Sequence, residues 1–282
     1  MMKTSTRRRA HVFAAAAALV SLTALPAASR AQSDIASSSG VFVEPAGRPR
    51  PSKKHGGTAP SRRAAAKRKT GGGAASAGAQ AVAANAQGLA LSKQGRHADS
   101  VEHFKKAIRL KPKFQDAHYG LGVAYFETGR FSEAVASLKE ATQLDPKDAA
   151  AWDYLGSSYT KMSRPAEAVA AYQQAALFDA DDAEVHHSLA DAYMSAGQPE
   201  QAVESLKRAV TLDPNLTEAH SELGDYYIKQ KRFQEAVDAY KNLARLTPQD
   251  SEAYSNLGDS YRGLGNFKEA VAAYQQAVRL KP

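Results

Sequence analysis

The stretch Gln115–Asp148 reads QDAHYGLGVAYFETGRFSEAVASLKEATQLDPKD. His118, Leu121, Gly122 and Tyr125 recur at spacings of three and four, so they share one face of a helix. Gly129 follows and offers a left-handed residue to close that helix. Ala134, Leu138, Ala141 and Leu144 form the apolar stripe of a second helix. Pro146 ends it, because proline lacks an N–H donor and clashes with the preceding turn. The small side chains of Gly122 and Ala134 let the two helices approach closely, and an aromatic ring from a neighbour is expected to fill the space between them.

The pattern recurs. Pro112, Pro146, Ala180, Pro214, Pro248 and Pro282 stand at steps of 34 residues and delimit units 81–114, 115–148, 149–182, 183–216, 217–250 and 251–282. Gly88, Gly122, Gly156, Ala190, Gly224 and Gly258 keep the same step, as do Leu91, Tyr125, Tyr159, Tyr193, Tyr227 and Tyr261. Pro165 and Pro199 fall where second helices begin, a place that suits proline's fixed φ. With these residues the chain resembles the tetratricopeptide repeat family, whose marker pattern has an aromatic, Leu-Gly, Tyr, Ala, a second aromatic and Pro. Unit three carries it as Trp152, Leu155, Gly156, Tyr159, Ala168, Tyr172 and Ala175. Unit six carries it as Tyr254, Leu257, Gly258, Tyr261, Ala270, Tyr274, Ala277 and Pro282. Unit one departs from it, with Ala84, Gln87 and Leu91 in place of the aromatic, the leucine and the tyrosine, as terminal repeats often do. Unit three has Ala180 where the others have proline, so its second helix is expected to run on slightly.

The resemblance implies an all-α fold, a right-handed superhelical solenoid of antiparallel helix pairs. It also implies a concave binding groove lined by the first helix of each unit, chiefly at unit positions 2, 5, 9 and 12. Position 5 reads Asn85, Tyr119, Asp153, His187, Ser221 and Ser255; position 9 reads Leu89, Val123, Ser157, Asp191, Asp225 and Asp259. Position 12 reads Ser92, Phe126, Thr160, Met194, Ile228 and Arg262. The expected groove is apolar and aromatic in its N-terminal half (Leu89, Tyr119, Val123, Phe126). In its C-terminal half it carries an acidic row (Asp191, Asp225, Asp259, with Asp153 nearby). The position-2 glutamates Glu184, Glu218 and Glu252 have a simpler explanation, since a first helical turn favours anions. The row aspartates sit mid-helix, where Asp is a poor helix former; they are read as solvated surface or as a groove for a partly basic extended or helical peptide. Asp stands where the subgroup that clamps the C-terminal carboxylate of heat-shock chaperones needs Lys, Arg and Asn, which excludes that mode. An acid-lined groove also disfavours phosphate backbones.

The charge of +8 is unevenly spread. Residues 1–31 hold five Lys/Arg and no acid, residues 32–80 nine against two, and residues 81–282 only 23 against 27. The opening MMKTSTRRRAHVFAAAAALVSLTALPAASRAQS has a basic region, an apolar run from Val12 to Leu25 and small residues before Gln32. That is the layout of a cleaved secretory signal, residues 1–31. Ala10 and His11 occupy the places where a twin-arginine signal carries large apolar residues, so the general secretory route is expected. Residues 32–80, rich in Ser, Gly, Ala, Pro, Lys and Arg, are expected to be a disordered basic linker. The absence of cysteine excludes disulfides, thiolate metal sites and an N-terminal lipid anchor. With no further span expected in the mature chain, an exported bacterial protein, periplasmic or secreted, is the expectation.

His118, His186 and His220 occupy the place of Trp152 and Tyr254 and are expected to pack as rings between helices. No H-E-x-x-H, P-loop, G-x-S-x-G or strand-flanked G-x-G-x-x-G occurs, and neither an enzyme nor a bound cofactor or metal is expected. The leading expectation is an adaptor that holds a protein or peptide segment in the cell envelope. A second is a binder of polyanions or of an anionic envelope surface through basic residues 48–69; nucleic acid enters only if the export reading fails. A third has the basic segment occupying the acidic row until displaced. Val271, Tyr274, Val278 and Leu280 of the last helix resemble residues that meet a following unit. Fraying, docking, dimerisation and an incomplete sequence each account for them.

Overall fold

Gly95, Gly129, Gly197 and Gly265 stand 34 residues or a multiple of 34 apart, and all have φ between 71° and 78°. In the computed structural model, which describes residues 63–281, this left-handed residue reverses the chain between the two helices of a unit. Its amide and the next one close the preceding helix: in unit two Gly129 N–H donates to the Phe126 carbonyl at 3.0 Å and Arg130 N–H to that of Tyr125 at 2.8 Å. Ser163 and Lys231 hold the same place in units three and five, with φ of 55° and 57°. A side chain with a Cβ pays roughly 1–2 kcal/mol in that region. Ser163→Gly and Lys231→Gly are therefore each expected to raise stability by about 1 kcal/mol, less the greater freedom glycine gives the unfolded chain. Chemical denaturation of the single variants reads this, and a loss of stability in both contradicts it.

Twelve helices are found among the described residues, and no strand. The first helices of the six units are α1 (Arg63–Lys93), α3 (Gln115–Glu127), α5 (Ala149–Lys161), α7 (Ala183–Ser195), α9 (Thr217–Lys229) and α11 (Ser251–Gly263). The second helices are α2 (His97–Leu110), α4 (Phe131–Leu144), α6 (Pro165–Phe178), α8 (Pro199–Leu212), α10 (Phe233–Leu246) and α12 (Phe267–Leu280). Pro165 and Pro199 sit in the first turn of their helices, as expected. The chain divides after Ser76 into two units, the second being Ala77–Pro282. In the second, α3, α5, α7, α9 and α11 each pack on the second helix of their own unit and on that of the preceding unit. The result is a solenoid of tandem helix pairs.

Two boundaries differ from expectation. α1 begins at Arg63, so residues 63–80, read as disordered linker, are helical; the alanine-rich run there has high helix propensity despite its glycines. The remainder of that linker and the signal segment lie outside the described residues. α6 does not run on past its missing proline but ends at Phe178, in register with Leu144, Leu212 and Leu246. The Ala180 carbonyl is held by the His186 ring at 3.1 Å, and Asp182 caps α7 by accepting from the amides of Glu184 and Val185. Those bonds fix the turn without proline.

The same ring bond recurs at other junctions. Nε2–H of His118 donates to the Pro112 carbonyl at 2.8 Å, and that of His220 to the Pro214 carbonyl at 3.0 Å. Nε1–H of Trp152 donates to the Pro146 carbonyl at 2.9 Å. The histidines are thus inter-unit ring donors, which explains why they share a position with tryptophan.

Within a unit the helices meet where the first has glycine. A Cβ on Gly156, Gly224 or Gly258 would lie under 3 Å from the ring of Tyr172, Tyr240 or Tyr274, and on Gly88 from that of Phe104. In these four units the ring belongs to the second helix of the same unit, whereas Gly120 and Gly263 each meet a ring of the preceding unit, Phe104 and Phe233. Opposite Gly122 stands Leu138, and unit four pairs Ala190 with Leu206 at these two register positions. On the outer turn, Arg130, Arg164 and Arg232 stack on Tyr125, Tyr159 and Tyr227, with 4.4–5.0 Å from guanidinium carbon to ring centroid. Each also pairs with the glutamate three residues on.

Candidate functional groove

At two junctions, residues at positions 5, 9 or 12 of one first helix meet position 6 of the next. At the junction of units two and three, Tyr154 packs edge-on against Tyr119, ring centroids 6.0 Å apart, and against Phe126 at 5.5 Å. Phe126 also meets Phe131 at 5.6 Å. The aromatic half of the groove is therefore one interlocked cluster. The Tyr119 hydroxyl is buried with no hydrogen-bond partner among the described residues, and burial pushes its pKa well up. Leu89 is half-buried at the N-terminal side. Val123, at 5% exposure, and Asn85, at 6%, are buried, so these two candidates line no surface. Neighbouring helices cover them, a matter of packing that position within the unit does not encode. Ser92 of unit one is buried likewise.

The acidic half differs from plain solvated surface. Asp225 accepts a hydrogen bond from the Tyr240 hydroxyl, and Asp259 accepts one from Tyr274 at 2.7 Å. Ser157 meets the Tyr172 hydroxyl at 3.0 Å in the corresponding place. Burial, and then the Asp225 carboxylate, holds the Tyr240 hydroxyl far above its ordinary pKa; the same causes raise Tyr274. The mid-helix aspartates thus anchor the tyrosines that fill the glycine gaps. Arg262 lies 2.8 Å from Asp259 and offsets its charge, while Asp225 keeps an exposed flank.

Unit four breaks this pattern. Its residue at the tyrosine position is Leu206, which has no hydroxyl, and Asp191 lies with His187 and Glu222 instead. His187 Nε2 is 3.1 Å from Glu222 Oε1, with the two side chains only 15% and 35% exposed. Burial opposes charge on the imidazole, but Glu222, Asp191 and Glu184 outweigh it and raise the His187 pKa. Ser221 and Ile228 of α9 are half-buried and Met194 of α7 is 42% exposed, which gives the acidic half an apolar margin. Asp153 is half-buried at the boundary of the two halves.

Position 6 escaped the sequence reading, and with it Tyr154 and Glu222. The signal was present: Glu222 and Asp225 lie three apart on one helix face, and His187 and Asp191 four apart. No described helix is long and apolar enough to cross a membrane. The last helix exposes Phe267, Val271 and Val278 at 68%, 54% and 64%.

The family model for the cilia and flagella-associated protein 70 C-terminal domain matches residues 88–252, and that for the tetratricopeptide repeat matches residues 251–282. No curated protein matches the sequence. Solved structures do. A MamA protein is 24% identical, with 59% of this chain and 91% of that one covered and a TM-score of 0.55. YrrB, described as a TPR protein with an unusual peptide-binding site, is 23% identical, with 64% and 94% covered and a TM-score of 0.58. The pilF protein of Pseudomonas aeruginosa is 20% identical, with 74% and 94% covered and a TM-score of 0.57. At such identities the likeness is one of fold.

Proposed function

The chain belongs to the tetratricopeptide repeat family, and on that premise we propose that it is a non-catalytic adaptor whose concave groove holds a partly basic protein or peptide segment. The fold is that of a protein-interaction scaffold. The observation that carries the finer reading is the run of carboxylates on consecutive first helices: Asp191, then Glu222 and Asp225, then Asp259. Arg262 stands beside Asp259 at the C-terminal end of this run. Such a surface favours Lys- or Arg-bearing segments and repels acidic ones, while Met194, Ile228 and Tyr154 supply apolar contact. YrrB, a TPR protein with a peptide-binding site, supports peptide binding as a use of this fold.

The place of action, the cell envelope, rests on the residue pattern of 1–31 and is part of the proposal. Basic residues 48–69 favour a subsidiary contact with an anionic envelope surface, and nucleic acid is not the proposed partner.

The test is fluorescence anisotropy with extended peptides of equal length and differing charge. The basic peptide is expected to bind and to weaken as salt rises. Asp191→Asn, Glu222→Gln and Asp225→Asn together should cost about tenfold, taking roughly 0.5 kcal/mol for each exposed charge contact. Equal binding of acidic and basic peptides, or an unchanged triple variant, overturns the proposal.

A further inference from the structure

We propose that His187, Asp191 and Glu222 form a three-ligand site for a divalent transition cation of the zinc class, bridging units four and five. His187 and Asp191 lie one turn apart on α7, and Glu222 reaches them from α9. One ligand atom from each lies within 4.8 Å of the other two. Tetrahedral zinc with bonds of about 2.0–2.1 Å sets its ligand atoms about 3.3 Å apart. The separation of 3.1 Å between His187 Nε2 and Glu222 Oε1 is already close to that. The carboxylate of Asp191, on the exposed side of the cluster, closes the remainder by side-chain rotation.

Three features beyond proximity point to a cation. The first is composition: one imidazole nitrogen with two carboxylate oxygens suits zinc, nickel or copper, whereas calcium and magnesium prefer all-oxygen sets of six or more. The second is charge: Asp191 and Glu222 bring two carboxylates to a single imidazole. The third is register. Asp225 and Asp259 occupy the position of Asp191 but accept from Tyr240 and Tyr274 on their own second helices. Leu206 replaces that tyrosine in unit four, and the cluster forms there. The exposed side of Asp191 leaves the fourth coordination position to water or to a donor arriving in the groove. The zinc titration contains no peptide and the peptide assay uses metal-stripped chain, so failure of one proposal leaves the other standing.

Isothermal titration of the metal-stripped full chain with zinc ions alone tests this. One zinc per chain is expected at micromolar affinity, with magnesium and calcium giving no comparable heat. His187→Ala, Asp191→Asn and Glu222→Gln should each weaken zinc binding at least tenfold, and Glu140→Gln, exposed on α4, should leave it unchanged. Cobalt in place of zinc should give the intense visible bands of tetrahedral nitrogen–oxygen coordination, lost in the same variants. Zinc at a hundredfold excess over its Kd should raise the Tm by about 5–10 °C. Asp191, exposed and outside the packed core, provides a variant that folds even if His187→Ala does not. Absence of zinc binding, or unchanged affinity in Asp191→Asn and Glu222→Gln, overturns the proposal and assigns any residual binding to histidines elsewhere.

Discussion

Tyr240→Ala is expected to lower the unfolding free energy by about 3–5 kcal/mol, the range for removing a buried aromatic ring. Tyr240 has no exposed surface and stands in the core shared by the last three units. Its ring fills the gap left by Gly224, so truncation opens a cavity along the interface of α9 and α10. Its hydroxyl donates to Asp225, which would lose that partner. Tyr240→Phe separates the two contributions. It keeps the ring and removes the hydrogen bond to a charged acceptor, and should cost about 1.5–3 kcal/mol. Equilibrium denaturation of both variants reads the difference. A Tyr240→Phe chain as stable as the parent would show that the aspartate row owes nothing to its tyrosines.

Gly224→Ala is the second large effect, about 1–3 kcal/mol of overpacking. The added Cβ would lie 2.6 Å from Cε2 and Cζ of the Tyr240 ring, well inside contact distance, and that ring has no free space to retreat into. Alanine is about 1 kcal/mol the better helix former, which offsets part of the cost. Unit four shows the compensated solution, Ala190 with Leu206. Gly224→Ala combined with Tyr240→Leu should therefore cost less than the sum of the single changes, a coupling of the size seen between contacting residues. Strict additivity would sever the proposed link between the glycine and the ring.

The helices, their order and their turns follow from the spacing of glycine, proline and apolar residues, because each of those acts within a few residues of itself. Residues that depend on a second helix were less legible. Asp225 and Tyr240 are 15 residues apart, and their bond exists only once α9 and α10 are packed; along the sequence each has a separate explanation. Asn85 and Val123 have the register of groove residues and the burial of core residues, because register fixes a direction on the helix but not what covers it. Ala180 shows the converse. The missing proline suggested a longer helix, and bonds from His186 and Asp182 stop the chain at the usual place. Local signals wrote the repeat; contacts between units decided which of its exposed positions remain open.

The ring donors at the junctions have a consequence for how such a chain can change in length. His118, Trp152, His186 and His220 each bind a carbonyl six residues earlier, and that carbonyl belongs to the unit before. The tie spans the seam, yet both of its ends travel with the same short segment of chain. A duplication or excision of one whole period therefore carries intact seams with it wherever the cut falls outside that segment. A gain or loss of a few residues inside it separates the ring from its acceptor. As far as these ties are concerned, recombination among units is tolerated in steps of 34.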